Sequence, residues 1–145
     1  MSEITTFESR KGKVNCSSEE LYRFLTDIRN FERFIPAGKF SDLIIERESC
    51  SFNVNMMGKV TIRLGNSFPY SEVTYTGRAM QLNDFSLKSG ISEIDPEHSE
   101  VRLVFTAEMN PFLKMLASEP VNRLLDTLVA EMEKFSGWKD IRRDI

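Results

Sequence analysis

The chain is poor in the residues that carry catalytic and metal chemistry. Its single histidine, His98, stands in Asp95-Pro96-Glu97-His98, which reads as a surface turn, so a serine or cysteine nucleophile lacks its usual base. An iron site built from two histidines and a carboxylate is excluded on the same ground, and neither a metal nor a cofactor is expected. Cys16 and Cys50 are isolated; they form no disulfide framework or zinc knuckle and read as reduced thiols. Nowhere do eighteen apolar residues follow one another, and Met1-Ser2-Glu3-Ile4-Thr5-Thr6 lacks the basic start and apolar run of a signal peptide. A cytoplasmic location without integral membrane association is therefore expected. A net charge of -3 provides no basic footprint, which argues against a nucleic-acid partner. Seven glycines and five prolines are scattered singly, without repeat or linker, so the 145 residues read as one domain, 1–145.

What the chain does have is periodicity. Thr5 to Cys16 carries Phe7, Val14 and several hydroxyl residues and reads as a first strand with a bulge near Lys11-Gly12-Lys13. Ser17 and Glu20 form a capping box, and Leu21, Phe24, Leu25 and Ile28 recur at helical spacing, predicting a helix over 18–28. Asn30 reads as the cap of a second short helix that presents Phe31, Phe34 and Ile35 and stops at Pro36. From Asp42 to Asn110 the period becomes two, as a half-buried antiparallel sheet requires. Asn110-Pro111 starts a C-terminal helical stretch with a kink expected near Pro120; beyond it Val121, Leu124, Leu125, Leu128, Val129, Met132 and Phe135 make a wide apolar stripe up to Gly137.

Three segments taken together carry a resemblance: the strand Thr5-Thr6-Phe7-Glu8-Ser9, the helix start Ser17-Ser18-Glu19-Glu20-Leu21-Tyr22, and Phe31-Glu32-Arg33-Phe34-Ile35-Pro36. Followed by strands and a long terminal helix, they resemble the helix-grip superfamily, the START and Bet v 1-like proteins or polyketide cyclase and lipid-transport group, with the nearest likeness to small bacterial members. The resemblance implies an α+β fold in which a curved seven-stranded antiparallel sheet grips the C-terminal helix. Two short helices after the first strand would close one end of a hydrophobic cavity. It spans a core of about 4–136, leaving 137–145 as a short, loosely held tail whose apolar residues are also compatible with a homodimer.

The expected cavity lining combines inward strand positions with the helix stripe: Phe52, Val54, Met56, Ile62, Leu64, Tyr75, Phe85, Leu87, Ser89, Phe105, Ala107 and Met109 from the strands, and Met115, Leu116, Leu124, Leu128 and Met132 from the helix. Ser9, Tyr75 and Ser89 are hydroxyls on apolar faces, each requiring a protein, water or ligand partner. No catalytic residue is assigned. The resulting expectation is a module that binds or transports a hydrophobic small molecule, lipid or polyketide-like. Two alternatives stand beside it: a cyclase or dehydratase using Tyr75 and a pocket carboxylate, and a chaperone-activator-like interaction domain whose eleven phenylalanines fill the core.

Overall fold

The period-two segments form one antiparallel sheet. A computed structural model of the protein describes residues 3–34, 41–54, 58–79 and 84–138. The strands are β1 (Glu3–Glu8), β2 (Gly12–Val14), β3 (Ser41–Ile45), β4 (Ser49–Val54), β5 (Gly58–Phe68), β6 (Glu72–Ala79), β7 (Asp84–Asp95) and β8 (His98–Met109), in the order β1-β8-β7-β6-β5-β4-β3 with β2 also on β8. Helix α1 (Ser18–Leu25) and a 3-10 helix (Ile28–Phe34) follow β2, and α2 (Pro111–Lys134) closes the order. The architecture is the α+β arrangement that the resemblance implies, with one addition.

That addition is the break in the first strand, where a bulge was expected. Ser9 holds the break together: its N–H donates to Leu103 O at 2.8 Å, while its Oγ accepts from Leu103 N at 2.9 Å and donates to Arg10 O at 2.8 Å. Both halves therefore stay on β8, and the sheet has eight strands. The hydroxyl of Ser9 is consumed by the backbone, so it is not a cavity group.

The capping box at Ser17 forms in full, with Glu20 N–H donating to Ser17 Oγ at 3.1 Å and Ser17 N–H to Glu20 Oε1 at 2.9 Å. The helix stops at Leu25 and not at Ile28, because Asp27 begins the 3-10 helix by accepting Arg29 N–H at 3.1 Å. Asn30, expected as a cap of the second helix, instead lies inside it and donates its amide to Phe24 O at 3.0 Å, satisfying an end carbonyl of α1. The expected stop at Ile35-Pro36 lies outside the described residues.

Helix α2 starts at Pro111, with Asn110 Oδ1 accepting Leu113 N–H at 2.8 Å, and runs through Pro120 as one element. Pro120 removes a hydrogen bond to Leu116 O, but both residues are exposed, so water can serve that carbonyl. The helix ends at Lys134 and not at Gly137. Its buried side, Leu125, Val129 and Met132, packs where Gly12 allows close approach: a Cβ at Gly12 would stand 2.3 Å from Val129 Cγ1. Arg10 clamps the same end, its guanidinium on the Glu133 carboxylate at 2.6 and 3.0 Å.

Trp138, expected in a loosely held tail, is buried. Its ring lies 4.9 Å from Phe24 and 4.8 Å from Phe135, and its Nε1–H donates to Phe135 O at 3.0 Å. Residues 139–145 of that tail lie outside the described residues. Among the described residues, no helix is long and apolar enough to cross a membrane.

Candidate apolar site between sheet and C-terminal helix

The strand register decides which side chains face α2. Phe7 pairs with Phe105, Phe105 with Leu87, Leu87 with Tyr75 and Tyr75 with Leu64, placing all five on the inner face. The next inner row runs from Ala107 through Phe85 and Gly77 to Ile62 and Cys50. Phe85 stacks on Phe105 with centroids 5.2 Å apart, and Phe105 contacts Phe7 at 6.3 Å.

The helix does not cover this face evenly. Its backbone approaches β1, β2, β8 and the 3-10 helix, while α1 packs on β6, β7 and β8. Near those contacts the inner positions are fully buried, as at Val73, Val101 and Leu103. Farther across, Cys50, Phe52, Ile62, Leu64, Leu87 and Phe105 are only half-buried, and so are Leu113, Ala117, Val121 and Leu128 of α2.

The expected lining residues thus fall into groups. Phe52, Ile62, Leu64, Leu87, Phe105 and Leu128 are half-buried inner residues; Phe85, Ala107, Met109 and Met132 belong to the closed core. Val54 lies in β4 opposite Gly58, and Met56 lies outside the described residues. Met115 and Leu116, expected on the sheet side of the helix, are 70% and 57% exposed, and Leu124 is 44% exposed. At about 100° per residue Leu113, Ala117, Val121 and Leu128 share an arc of about 80°, and Met115 and Leu116 fall about 100° or more from its centre; Met115 is in phase with the buried Val129 but stands exposed at the other end of the helix. Leu124 shares that arc, yet little covers it. Cys50, Leu113, Ala117 and Val121 were not among the expected residues; the spacing of the last three with Leu128 was the available signal.

Polar chemistry on this face is sparse. The hydroxyl of Tyr75 donates to Leu25 O at the end of α1, and burial pushes its phenol well above the ordinary range. Burial likewise pushes the Cys50 thiol up to about 11 and, with help from Glu20, the Cys16 thiol up to about 12, so neither is a nucleophile near neutrality. Ser89, between Val73 and Leu103, is fully buried and its Oγ has no hydrogen-bond partner among the described residues. From Cys50 to Ile91 the described inner positions carry no carboxylate, imidazole or amine. No group of three or more candidate metal ligands occurs among the described residues.

No protein-family model matches the chain, and no curated protein matches it significantly. Solved structures do match over nearly its whole length. A START superfamily protein from Mycobacterium smegmatis aligns with a TM-score of 0.61 at 13% identity, covering 93% of this chain and 99% of that one. The Zhui aromatase/cyclase from Streptomyces sp. R1128 gives 0.63 at 14%, covering 91% and 95%. Norcoclaurine synthase from Thalictrum flavum, with a transition-state analogue, gives 0.68 at 6%, covering 92% and 97%. At these identities the likeness concerns the fold: the chain has the helix-grip fold of the START and Bet v 1-like proteins.

Proposed function

We propose that the protein binds a hydrophobic small molecule, lipid or polyketide-like, between the inner face of β4–β7 and α2. One observation carries this reading: Phe52, Ile62, Leu64 and Leu87, which a closed core would bury, stay half-open to solvent opposite Leu113, Ala117, Val121 and Leu128. A ligand covering about 300 Å² of such surface would gain on the order of 7 kcal/mol before association costs. The half-open face disfavours an interaction domain with a filled core. The engaged hydroxyl of Tyr75 and the absence of carboxylates on the described inner face disfavour a cyclase or dehydratase, although aromatase/cyclase and synthase neighbours share the fold.

Native mass spectrometry of freshly purified protein, together with Nile red fluorescence, tests the reading. A co-purified apolar adduct or saturable dye binding is expected, weakened several-fold by Leu87→Gln and Ile62→Gln. Only apo mass, with no dye binding, would overturn it.

A further inference from the structure

The outer face of the sheet, opposite the helices, carries a concavity of about 1150 Å³. Lys59, Thr61 and Arg63 of β5, Thr76 and Arg78 of β6 and Ser86 of β7 contribute to its lining. The register sets these groups side by side: Thr61 is opposite Arg78, Arg63 opposite Thr76, Thr76 opposite Ser86, and Ser86 opposite Thr106. Cross-strand partners have Cβ atoms about 4.5–5.5 Å apart, so three cations and four hydroxyls adjoin one another within a lining that Ile4, Gly77, Ala79, Phe85 and Ala107 complete.

The charges on this surface are unevenly matched. Arg78 is held by Asp84 at 3.1 Å. Lys59 and Arg63, like Lys13, Arg47, Lys114 and Lys134 elsewhere, have no carboxylate within ion-pair distance among the described residues, whereas Arg10, Arg23, Arg29, Arg102 and Arg123 each have one. The anions that line the concavity, Asp84 and Glu108, belong to β7 and β8. In a chain of net charge -3, the β5 end is thus a local positive field beside hydroxyl donors.

We propose that this concavity is a second binding site, for a phosphate monoester. The Arg63 guanidinium, a planar fork suited to phosphate oxygens, and the Lys59 ammonium neutralise the phosphate, and the Thr61 and Thr76 hydroxyls donate to its remaining oxygens. Ser86 and Thr106 continue the polar surface toward the group that bears the phosphate. A soluble phosphomonoester and a lipid headgroup present the same chemistry, and the site lies on the face opposite the apolar one.

Amide chemical shifts recorded with inorganic phosphate at constant ionic strength, and flotation with phosphatidylcholine vesicles with or without phosphatidic acid, provide the test. Saturable shifts confined to Lys59–Arg63 and Thr76–Arg78, or flotation requiring phosphatidic acid, are expected. Free phosphate acting alone identifies a soluble source, and phosphatidic acid acting alone a headgroup. Removing both charge-assisted contacts with the double variant Lys59→Gln, Arg63→Gln should weaken binding at least about tenfold. Nile red binding and the circular dichroism of that variant should not change, since both side chains are exposed. Shifts scattered over Lys11, Lys114 and Lys134, undiminished binding in the double variant, or no binding of either probe would overturn the proposal.

Discussion

Gly77 leaves on the inner face of β6 the space that the ring of Phe85 occupies: a Cβ there would stand 2.3 Å from Phe85 Cζ. The two residues are direct cross-strand partners, and the aromatic ring compensates for the side chain that the glycine lacks. Phe85 in turn stacks on Phe105, so this one close contact positions the aromatic row bordering the proposed apolar site.

Gly77→Ala sets two effects against each other. Alanine is favoured over glycine in a strand by about 0.5–1 kcal/mol, whereas overpacking a filled core costs about 1–3 kcal/mol. Overpacking should win, giving a net loss of about 1–2 kcal/mol in urea denaturation. The same substitution in a Phe85→Leu background should cost less. Equal costs in the two backgrounds would mean that Phe85 is not the reason for the glycine.

Tyr75→Phe should destabilise the protein by about 1–3 kcal/mol, because Leu25 O loses its donor inside the core. Tyr75 should resist alkaline titration, since burial holds its phenol neutral. A folded-state pKa raised above the unfolded value favours the native state only while the unfolded phenol stays protonated. The stability it contributes is therefore present below about pH 10 and lost as the pH rises further. The difference in tyrosinate absorbance between the protein and its Tyr75→Phe variant should appear only with unfolding; a difference that develops while the protein is still folded would contradict this.

The strands were legible because the apolar alternation in Val60-Ile62-Leu64, Val73-Tyr75 and Val101-Leu103-Phe105 states its own period. The helix phase was not. Phe112, Met115 and Leu116 are as apolar as Leu113, Ala117 and Val121, and only the position of the sheet decides which row is covered. Trp138 was not legible either, since beside its neighbour Phe135 it packs on Phe24, over a hundred residues away in sequence. The outer row of Arg63, Thr76, Ser86 and Thr106 reads in sequence as ordinary solvated positions; it becomes one surface only through a register spanning four strands.

Cys50 offers a reporter for the proposed apolar site. It is half-buried on the inner face beside Ile62, with a thiol at about 11, so disulfide-exchange reagents should modify it far more slowly than a free thiol at pH 8. Cys16, fully buried and at about 12, should react only on unfolding. An apolar ligand should slow Cys50 further and leave Cys16 unchanged. Acceleration of Cys50 by the ligand, or a rate equal to that of a free thiol, would place Cys50 outside the site.

Glu133 ties α2 to Arg10, between β1 and β2, and to β2 itself, accepting from the Arg10 guanidinium and, at 3.2 Å, from Lys13 N–H. The Arg10 hydrogen bonds hold its carboxyl below the ordinary range, with the Lys13 amide and the charge of Arg10 adding to the effect. A depressed folded-state pKa means that the unfolded chain takes up a proton first as the solution is acidified. The contribution is therefore complete above the unfolded carboxylate pKa of about 4.3 and fades as the pH falls through the lower folded value. Glu133→Gln should lower the urea midpoint at pH 7 and have less effect at pH 3. Because the pair is largely solvent-exposed, the difference at pH 7 should be modest and should shrink in high salt. A variant that loses as much at pH 3 as at pH 7 would show that Glu133 acts through packing and not through its charge.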